Sequence, residues 1–507
     1  MKKIIIFVSI VLLVATGILA HRLRRIGYYV IPDPYVIADE HTNVWYGLSL
    51  RRDGIPVAWS QLAAYGSTGI MGETRGFKIF VNNESPTLKT IKDFPNPVTS
   101  LLQLDIGKGL EHIRFVQPYM DHPPLGAVIL SLGVLDNTQS FPDLSAHDMR
   151  RMSVYLAILT TVLIYLAGWQ ITKNPLVGLA GAVIYGSTPT YILLSRYAQL
   201  ENVLSPMFLI VFNLILLTNN KLSKRTNTTV LIAAGIFAGL CALTKEIGWF
   251  ALLFGVAALL YKQKKFKDIL LFSIPAVIIG SLYFAWGLYL NPTLFMNLFL
   301  YQGISRGFIG SLNMLSAAVR VGILNFPFDG WWIGGFLSFL LIGRKKEYSP
   351  LFIAAGIIIG SILLIGGANF AWYYIPLIPF MSIATALFIY EVFTSPNFSN
   401  ILIFFLIFIS SSFYWGYGVK LAIQESTGFQ QPFTLYRILL LFALAAGLFF
   451  QFAKQIKRVK WVWYSVMTLV CLLLMFLNMK SIYFLHENWG SGKYPSLYSS
   501  GAGLIMK

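Results

Sequence analysis

Two short acidic motifs contain the side chains of this sequence best suited to acid-base chemistry. Asp39-Glu40 and Asp121-His122 lie in the polar segment between the first two apolar stretches. A carboxylate beside an apolar surface has its charged form penalised, which raises its pKa and makes it a better proton acceptor. Asp39 and Glu40 are therefore candidate proton acceptors. Acidic pairs are also common in solvated loop turns, so the pair alone leaves that alternative open.

The second motif continues into two prolines, Pro123 and Pro124. Prolines fix the backbone and favour the first turn of a helix, so the spacing predicts a helix that starts here. Asp121 and His122 would then be held at the positive end of the helix dipole, a position that suits a phosphate group. An ordinary helix start with a capping aspartate explains the same pattern without a ligand.

Four ionisable residues interrupt later apolar stretches. Arg196 and Glu201 flank one such break, and Lys245-Glu246 forms another. Each charge at membrane depth costs about 2.5–3.5 kcal/mol on insertion scales, so these residues are expected to face a cavity or to pair. An Arg196–Glu201 ion pair, or a tight hairpin at Lys245, would account for them without a ligand.

An aromatic segment, Ala371-Trp372-Tyr373-Tyr374, precedes Pro376. Tyrosine hydroxyls can hydrogen-bond a phosphate or sugar while their rings pack against lipid, which makes Tyr374 a candidate ligand contact. An aromatic belt at the membrane interface is the alternative for any single tyrosine.

The early polar segment also has oxygen and imidazole groups that metals accept. They are Asp39, Glu40, His41, Asp121 and His122. The sequence has no HExxH helix or similar ligand spacing, so a divalent metal is left open and no cofactor is required. Cys241 and Cys471 both lie in apolar stretches, which provides no thiol pair for a metal or a disulfide framework.

The elements that must position these groups are apolar helices. The chain has 507 residues, of which 56% are hydrophobic and 12% charged, with a mean hydropathy of +0.67. Because about 20 apolar residues span the hydrocarbon core, the pattern predicts an all-α integral membrane protein, a polytopic bundle of about 13 transmembrane helices. The expected spans are residues 4–20, 152–170, 176–194, 202–218, 229–243, 247–261, 269–289, 331–342, 351–367, 375–393, 400–417, 435–452 and 461–479.

The net charge of +18 follows the membrane pattern and does not suggest nucleic-acid binding. With a cytoplasmic N-terminus and an uncleaved first span, most basic clusters fall on one side, as the positive-inside rule requires. The cluster His21-Arg22-Leu23-Arg24-Arg25 is the exception. The long first loop, residues 21–150, is then extracytoplasmic, and its apolar part after Pro123 is expected to form an interfacial helix. The candidate residues lie on that same side.

Taken in order, six motifs resemble the polyprenyl-phosphate-dependent GT-C glycosyltransferases, and within them the protein O-mannosyltransferase and aminoarabinose transferase group. They are the DE pair, DHPPLG, Arg150-Arg151 at the second span, SRYAQLEN, LTKE and WYYIPLIP. The resemblance covers roughly residues 1–380. It implies a catalytic transmembrane module over 1–393, with additional helices and a short tail over 394–507.

The resemblance also implies roles for single residues. Asp39 resembles the general base that deprotonates an acceptor hydroxyl, with Glu40 positioning the acceptor and the anomeric centre inverted. The residues on the donor-phosphate side would be Lys245, Arg151, Arg196, His122 and Tyr374. Glu201 and Asp121 would form a second acidic site.

The implied function is transfer of a sugar from a polyprenyl-phosphate donor in the cell membrane. The acceptor class stays open between a protein hydroxyl, a lipid and a glycan. A transporter or flippase of a lipid-linked substrate is the alternative. Such proteins more often have repeated halves and charged broken helices at the bilayer midplane, whereas the polar groups here gather at one face.

Overall fold

The computed structural model describes a helical membrane protein with a small folded region after its first helix. Its described residues are 2–31, 39–60, 62–65, 88–92, 102–106, 113–135, 137–218, 223–305, 319–321, 324–326, 330–342, 345–365, 371–409, 441–442, 445, 447–450 and 457–487.

Helices make up most of the described chain. The α-helices are α1 (Lys2–Arg25), α2 (Asp39–Asp53), α3 (Leu88–Lys92), α4 (Pro124–Ser131), α5 (Ala146–Thr172), α6 (Pro175–Ser187), α7 (Pro189–Leu194), α8 (Leu200–Leu217), α9 (Lys224–Thr244), α10 (Phe250–Tyr261), α11 (Phe266–Leu290), α12 (Pro292–Ser305), α13 (Gly330–Leu341), α14 (Ser349–Ile365), α15 (Ile378–Thr394), α16 (Phe398–Phe404) and α17 (Lys457–Leu485). Short 3₁₀ turns occupy Ala63–Tyr65, Phe141–Asp143, Glu246–Trp249, Lys346–Tyr348 and Ala371–Leu377, and a π-helical turn occupies Phe405–Ile409.

Eight helices in the described part of the chain are long and apolar enough to cross a membrane. They are Lys3–Arg25, Ala146–Thr172, Leu200–Leu217, Lys224–Thr244, Phe266–Leu290, Lys346–Leu363, Trp372–Thr394 and Val459–Tyr483. The all-α membrane fold is confirmed, whereas the expected number of 13 spans is not established. Most of residues 410–417 and 435–452, which were predicted to span, lie outside the described residues.

One predicted span is interrupted. The apolar stretch 176–194 forms two helices, α6 and α7, which meet at Thr188. Pro189 has no backbone N–H to donate to the preceding turn, so it begins a new helix and does not continue the old one. The second helix, α7, is short and ends at Leu194, just before the polar segment that begins at Ser195.

The end of α1 is held by a buried cation. The Arg24 guanidinium donates to Ser195 Oγ (2.7 Å) and to the Tyr185 carbonyl oxygen (3.0 Å), and its Cζ lies 4.7 Å from the centre of the Tyr185 ring. Buried charges are stable only when hydrogen-bonded, so this network fixes α1 against the ends of α6 and α7. Arg24, one of the basic residues at the end of the first span, is therefore buried inside the protein and does not face solvent.

The first loop contains a small antiparallel sheet. β1 (Ala58–Trp59) and β2 (Leu102–Ile106) pair on either side of β3 (Ile113–Gln117), with Trp59 opposite Phe115 and Leu104 opposite the same residue. A separate two-stranded pair joins β4 (Val319–Val321) to β5 (Leu324–Phe326). Part of the first loop is therefore folded.

α2 and α4 pack backbone to backbone beside this sheet. A Cβ atom at Gly47 would overlap the Ala127 carbonyl oxygen, so only glycine permits this close approach. α4 begins at Pro124, as the two prolines predict. The contact brings the start of α4, with Asp121 and His122 before it, close to the start of α2.

Candidate functional site

A polar cavity of about 260 Å³ lies where the first loop meets the ends of the membrane helices. Its walls come from the start of α2, from β1, from the segment before α4 and from the breaks before α8 and after α9. The lining residues are Asp39, Thr42, Asn43, Trp59, Ser60, Leu62, Tyr119, Asp121, His122, Gln199, Leu200, Lys245, Gln302, Trp372 and Tyr373. Four of the predicted site residues, Asp39, Asp121, His122 and Lys245, are thus brought together.

Asp39 is the first residue of α2 and is exposed. A carboxylate in the first turn of a helix is favoured by the helix dipole. Tyr119 lies close by: burial first, and then the carboxylates of Asp121 and Asp39, raise the pKa of this tyrosine well above its ordinary value. Tyr119 therefore lies within reach of the charges of both carboxylates in the cavity wall.

Glu40 does not line this cavity, although the resemblance implied that it positions an acceptor. Its two carboxylate oxygens accept hydrogen bonds from Arg150 Nε (2.8 Å) and Nη2 (2.5 Å), and the Ala198 backbone N–H donates to Oε1 (2.6 Å). Both charged side chains are fully buried. Glu40 turns inward because an unpaired Arg150 at that position would be a buried charge without a partner.

Asp121 accepts two short hydrogen bonds inside the cavity wall. Ser60 Oγ donates to Oδ2 (2.6 Å) and the Tyr65 hydroxyl donates to Oδ1 (2.7 Å). Burial raises the pKa of Asp121 from its ordinary 3.8 to about 6, although these two hydrogen bonds oppose the shift. Asp121 is thus held rigidly and is less acidic than a solvated aspartate.

His122, next in sequence, faces a different partner. Its Nδ1 lies 3.1 Å from each carboxylate oxygen of Glu246. A carboxylate at Nδ1 orients the ring and places a proton on that nitrogen, which leaves Nε2 for another partner. Glu246 was noted from the sequence only as a break in an apolar stretch.

Lys245 pairs with Glu201 between the end of α9 and the start of α8. Lys245 Nζ lies 2.5 Å from Glu201 Oε1 and 4.7 Å from the centre of the Tyr373 ring. The other oxygen, Glu201 Oε2, is buried without a hydrogen-bond partner among the described residues. The alternative of an Arg196–Glu201 ion pair is therefore wrong.

Arg196 does not reach the cavity either. Its guanidinium donates to three backbone carbonyl oxygens at and beyond the end of α1, those of Leu23 (2.6 Å), Ile26 (2.8 Å) and Ile31 (2.9 Å). A cation suits the carbonyls at a helix C-terminus, which explains why this residue is buried without a carboxylate. Its expected place beside the donor phosphate is not supported.

Two further candidates lie apart from the cavity. Arg151 contacts Asp148 Oδ1 (2.7 Å) on its own helix and lines a separate pocket. Tyr374 is buried and packs edge-on against Trp332, at 5.3 Å between ring centres, whereas its neighbour Tyr373 lines the cavity. Adjacent residues of a helical turn point in different directions, so the sequence motif could not distinguish the two tyrosines.

Two cavity residues that the sequence did not single out have unused donors. Trp59 Nε1 and Gln199 Nε2 are buried and have no hydrogen-bond partner among the described residues. Buried donors are nearly always paired, so these two require an explanation. The only sequence signal was the position of Gln199 inside the SRYAQLEN motif; Trp59 had none.

Residues 120–300 match the family model described as dolichyl-phosphate-mannose-protein mannosyltransferase, PMT. The match covers about a third of the chain. Asp121, His122, Glu201 and Lys245 lie inside the PMT match, and Asp39 lies before it. Comparison with the sequences of curated proteins gives no match.

Solved structures provide a second comparison. ArnT from Cupriavidus metallidurans bound to undecaprenyl phosphate is similar with a TM-score of 0.55 and 13% identity, over 98% of this chain and 79% of that chain. Apo ArnT from the same organism gives a TM-score of 0.46 and 15% identity, over 73% and 66% of the two chains. The archaeal oligosaccharyltransferase AglB from Archaeoglobus fulgidus, in complex with an inhibitory peptide and a dolichol-phosphate, gives 0.41 and 12%, over 90% and 55%.

The likeness to undecaprenyl-phosphate-bound ArnT establishes the fold. The fold is the GT-C membrane fold that the motif order implied. Residues 120–300, which match the mannosyltransferase family model, lie within this fold.

The described residues of the cavity do not form a metal-binding group. Among them, no group of three or more His, Cys, Asp or Glu side chains lies close enough to hold an ion. Glu40 is taken by Arg150, and His41 is buried beside Phe141, with 5.8 Å between the ring centres. Burial, followed by the charge of Arg150, lowers the pKa of His41 to about 3.

Proposed function

We propose that this protein transfers a sugar from a polyprenyl-phosphate donor to an acceptor hydroxyl in the cavity. The observation that carries the proposal is that Asp39 and Lys245, more than 200 residues apart in sequence, line one cavity at the helix ends. The family description names a dolichyl-phosphate-mannose donor and a protein acceptor, and the similar ArnT structure holds undecaprenyl phosphate. Mannose and a peptide hydroxyl are therefore the first substrates to test.

Asp39 is the proposed general base. The acceptor oxygen attacks the anomeric carbon from the face opposite the phosphate, and its proton passes to the Asp39 carboxylate. The bond between the anomeric carbon and the phosphate oxygen breaks, and the electron pair leaves with the lipid phosphate. Attack from the opposite face inverts the anomeric centre. General-base catalysis of this kind contributes about 10²–10⁴-fold to a rate.

Lys245 and His122 are the proposed contacts of the leaving phosphate. Lys245 has three N–H donors, of which one is directed to Glu201, so others remain for a phosphate oxygen. His122 has Nε2 on the side of its ring away from Glu246, where that nitrogen is available to the same group. Charge-assisted hydrogen bonds would stabilise the negative charge that builds on the leaving group.

The cavity is proposed to lie on the extracytoplasmic side of the membrane. Glu201 lies in the first turn of α8, and at the other end of that helix Lys262 Nζ donates to the carbonyls of Ile215 (2.6 Å) and Thr218 (3.1 Å). The two ends are about 27 Å apart at 1.5 Å per residue, close to the thickness of the hydrocarbon core. Lys262 belongs to a basic cluster that the positive-inside rule assigns to the cytoplasm, so the cavity falls outside.

The test is a transfer assay in lipid nanodiscs with polyprenyl-phosphate mannose and a serine- and threonine-containing peptide. Wild-type protein should form mannosylated peptide, and Asp39→Asn should lose at least about 100-fold in rate while remaining folded. Asp143→Asn is the matched control, because Asp143 is exposed in the same loop and does not line the cavity. Other polyprenyl-phosphate sugars and lipid or glycan acceptors form the remaining arms.

Two outcomes would count against the proposal. Wild-type turnover by Asp39→Asn would remove Asp39 from the mechanism. Translocation of the lipid-linked sugar across proteoliposomes, without transfer to any acceptor, would favour the transporter alternative.

A further inference from the structure

A second pocket lies between the end of α1 and the start of α5. It has a volume of about 50 Å³ and is lined by His21, Arg25, Tyr28, His147, Arg151, Val154 and Tyr155. None of these residues lines the larger cavity. Two arginines and two histidines thus converge at one place that the proposed transfer reaction does not use.

The two arginines differ in how far the protein neutralises them. Arg151 Nη2 lies 2.7 Å from Asp148 Oδ1 and 3.2 Å from His147 Nδ1, which leaves part of its guanidinium open. Arg25 is exposed and makes no hydrogen bond or ion pair with any other residue that the structure describes. The pocket therefore has a net positive charge and can accept an anion.

The cationic pocket continues a lipid-facing surface. On α1, Val14 and Ile18 are 59% and 67% exposed, and Arg25 follows on the same helix face, seven residues after Ile18. On α5, Tyr155 and Leu159 are 52% and 43% exposed and follow Arg151 at intervals of four residues. Residues three, four and seven apart share one face of a helix. Both helices qualify as membrane spans, so these exposed apolar side chains face lipid tails.

We propose that this pocket binds the headgroup of an anionic phospholipid. The phosphate would lie between Arg25 and Arg151, and the acyl chains would lie along the exposed apolar stripes of α1 and α5. Arginine binds phosphate oxygens through paired N–H donors, and its guanidinium is charged at physiological pH. The site also explains the basic cluster after the first span that opposes the positive-inside rule, because Arg24 fastens α1 and Arg25 serves the lipid.

Native mass spectrometry of the delipidated full chain in detergent tests the site. The probes are phosphatidylglycerol, phosphatidylcholine and inorganic phosphate, each titrated separately and in competition. Phosphatidylglycerol should bind more tightly than phosphatidylcholine, and inorganic phosphate should compete only weakly because it lacks the acyl chains. Equal binding of the two phospholipids would overturn the proposal, and so would inorganic phosphate binding as tightly as phosphatidylglycerol.

Substitutions locate the site. Arg25→Gln and Arg151→Gln should each weaken phosphatidylglycerol binding about fivefold, which corresponds to about 1 kcal/mol per arginine at an anionic lipid surface. Arg22→Gln is the matched control, since Arg22 is an exposed cation on the same turn of α1 that does not line the pocket. Arg25 has no partner to lose among the residues that the structure describes, so its variant stays informative if Arg151→Gln is unstable. Unchanged binding in Arg25→Gln would refute the assignment.

Discussion

Glu40 and Arg150 form a fully buried ion pair that joins the first turn of α2 to the first turns of α5. The same arginine donates from Nη1 to the Tyr28 carbonyl oxygen at 2.7 Å. Glu40 is thereby fixed at one side of α2 while Asp39, the residue before it, faces the cavity. Two adjacent carboxylates have different surroundings, and the buried one sets the position of the helix on which the exposed one lies.

Breaking this pair should cost stability. Glu40→Ala removes the carboxylate that pairs with the buried Arg150 guanidinium, and breaking a buried ion pair typically costs about 3–5 kcal/mol. The free energy of unfolding in detergent, followed by tryptophan fluorescence or circular dichroism, measures the loss. Transfer activity should fall with the folded fraction.

A double variant separates charge from position. In Glu40→Leu with Arg150→Met both charges are absent, so most of the lost stability should return. If Glu40→Ala proves as stable as wild type but inactive, the carboxylate acts directly on the acceptor, as the family resemblance implied, and the structural role assigned here is wrong.

Lys245→Met should weaken donor binding. The substitution removes a charge-assisted contact worth about 1.5–3 kcal/mol, equivalent to about 10- to 100-fold in the dissociation constant for the polyprenyl-phosphate donor. It also leaves the Glu201 carboxylate buried without its cation, which lowers stability. Titration of the donor into protein in nanodiscs measures the first effect, and thermal unfolding measures the second.

The second substitution Glu201→Gln provides the control. Added to Lys245→Met, it removes the unpaired charge, so stability should recover while donor binding stays weak. Recovery of donor binding together with stability would mean that Lys245 only balances Glu201 and does not contact the phosphate.

The sequence predicted local structure where neighbouring residues alone decide position. Pro123 and Pro124 start α4. The charged residues Glu201 and Lys245, which interrupt apolar stretches, were expected to face a cavity or to form an ion pair, and they pair with each other. The sequence did not reveal which of two adjacent residues turns inward. Glu40 turns away from the cavity to pair with Arg150, and Tyr374 turns away to pack against Trp332. Both partners are distant in sequence, so no local motif indicates these contacts. Arg196 was predicted to contact the donor phosphate, whereas its guanidinium donates to carbonyls at the end of α1, which no motif indicates.

Trp59→Phe should affect the reaction without affecting the fold. The indole N–H of Trp59 has no partner among the described residues, so its removal costs no protein hydrogen bond. A sugar or acceptor oxygen in the cavity would accept that hydrogen bond, and its loss should lower kcat/KM about threefold to tenfold, the range of a neutral hydrogen bond. Trp45→Phe is the matched control, because Trp45 Nε1 is likewise buried without a partner but Trp45 does not line the cavity. Equal effects of the two variants would rule out a ligand contact at Trp59.

Asp121 predicts a specific pH dependence of stability. Its pKa is raised from 3.8 to about 6, chiefly by burial. Below pH 3.8 the Asp121 carboxyl is protonated in both the folded and the unfolded chain, so it contributes no pH dependence to the free energy of unfolding there. As the pH rises towards 6 the unfolded chain loses this proton first, so the folded state loses stability, by up to about 3 kcal/mol at higher pH.

Asp121→Asn removes this titration. Between pH 4 and pH 7 the free energy of unfolding of wild type should fall relative to that of the variant, even though asparagine gives up one of the two hydrogen bonds at every pH. For Asp143→Asn the change in stability should have the opposite sign: on acidification below about pH 3.8, wild type should lose stability relative to this variant. Partial desolvation raises the pKa of Asp143, but hydrogen bonds from Ser140 and from the Gln139 backbone outweigh it and hold the pKa below its usual value. Its contribution is therefore present above pH 3.8 and is lost on acidification. Parallel pH profiles for wild type and Asp121→Asn would show that the Asp121 carboxyl is ionised in the folded protein throughout this range.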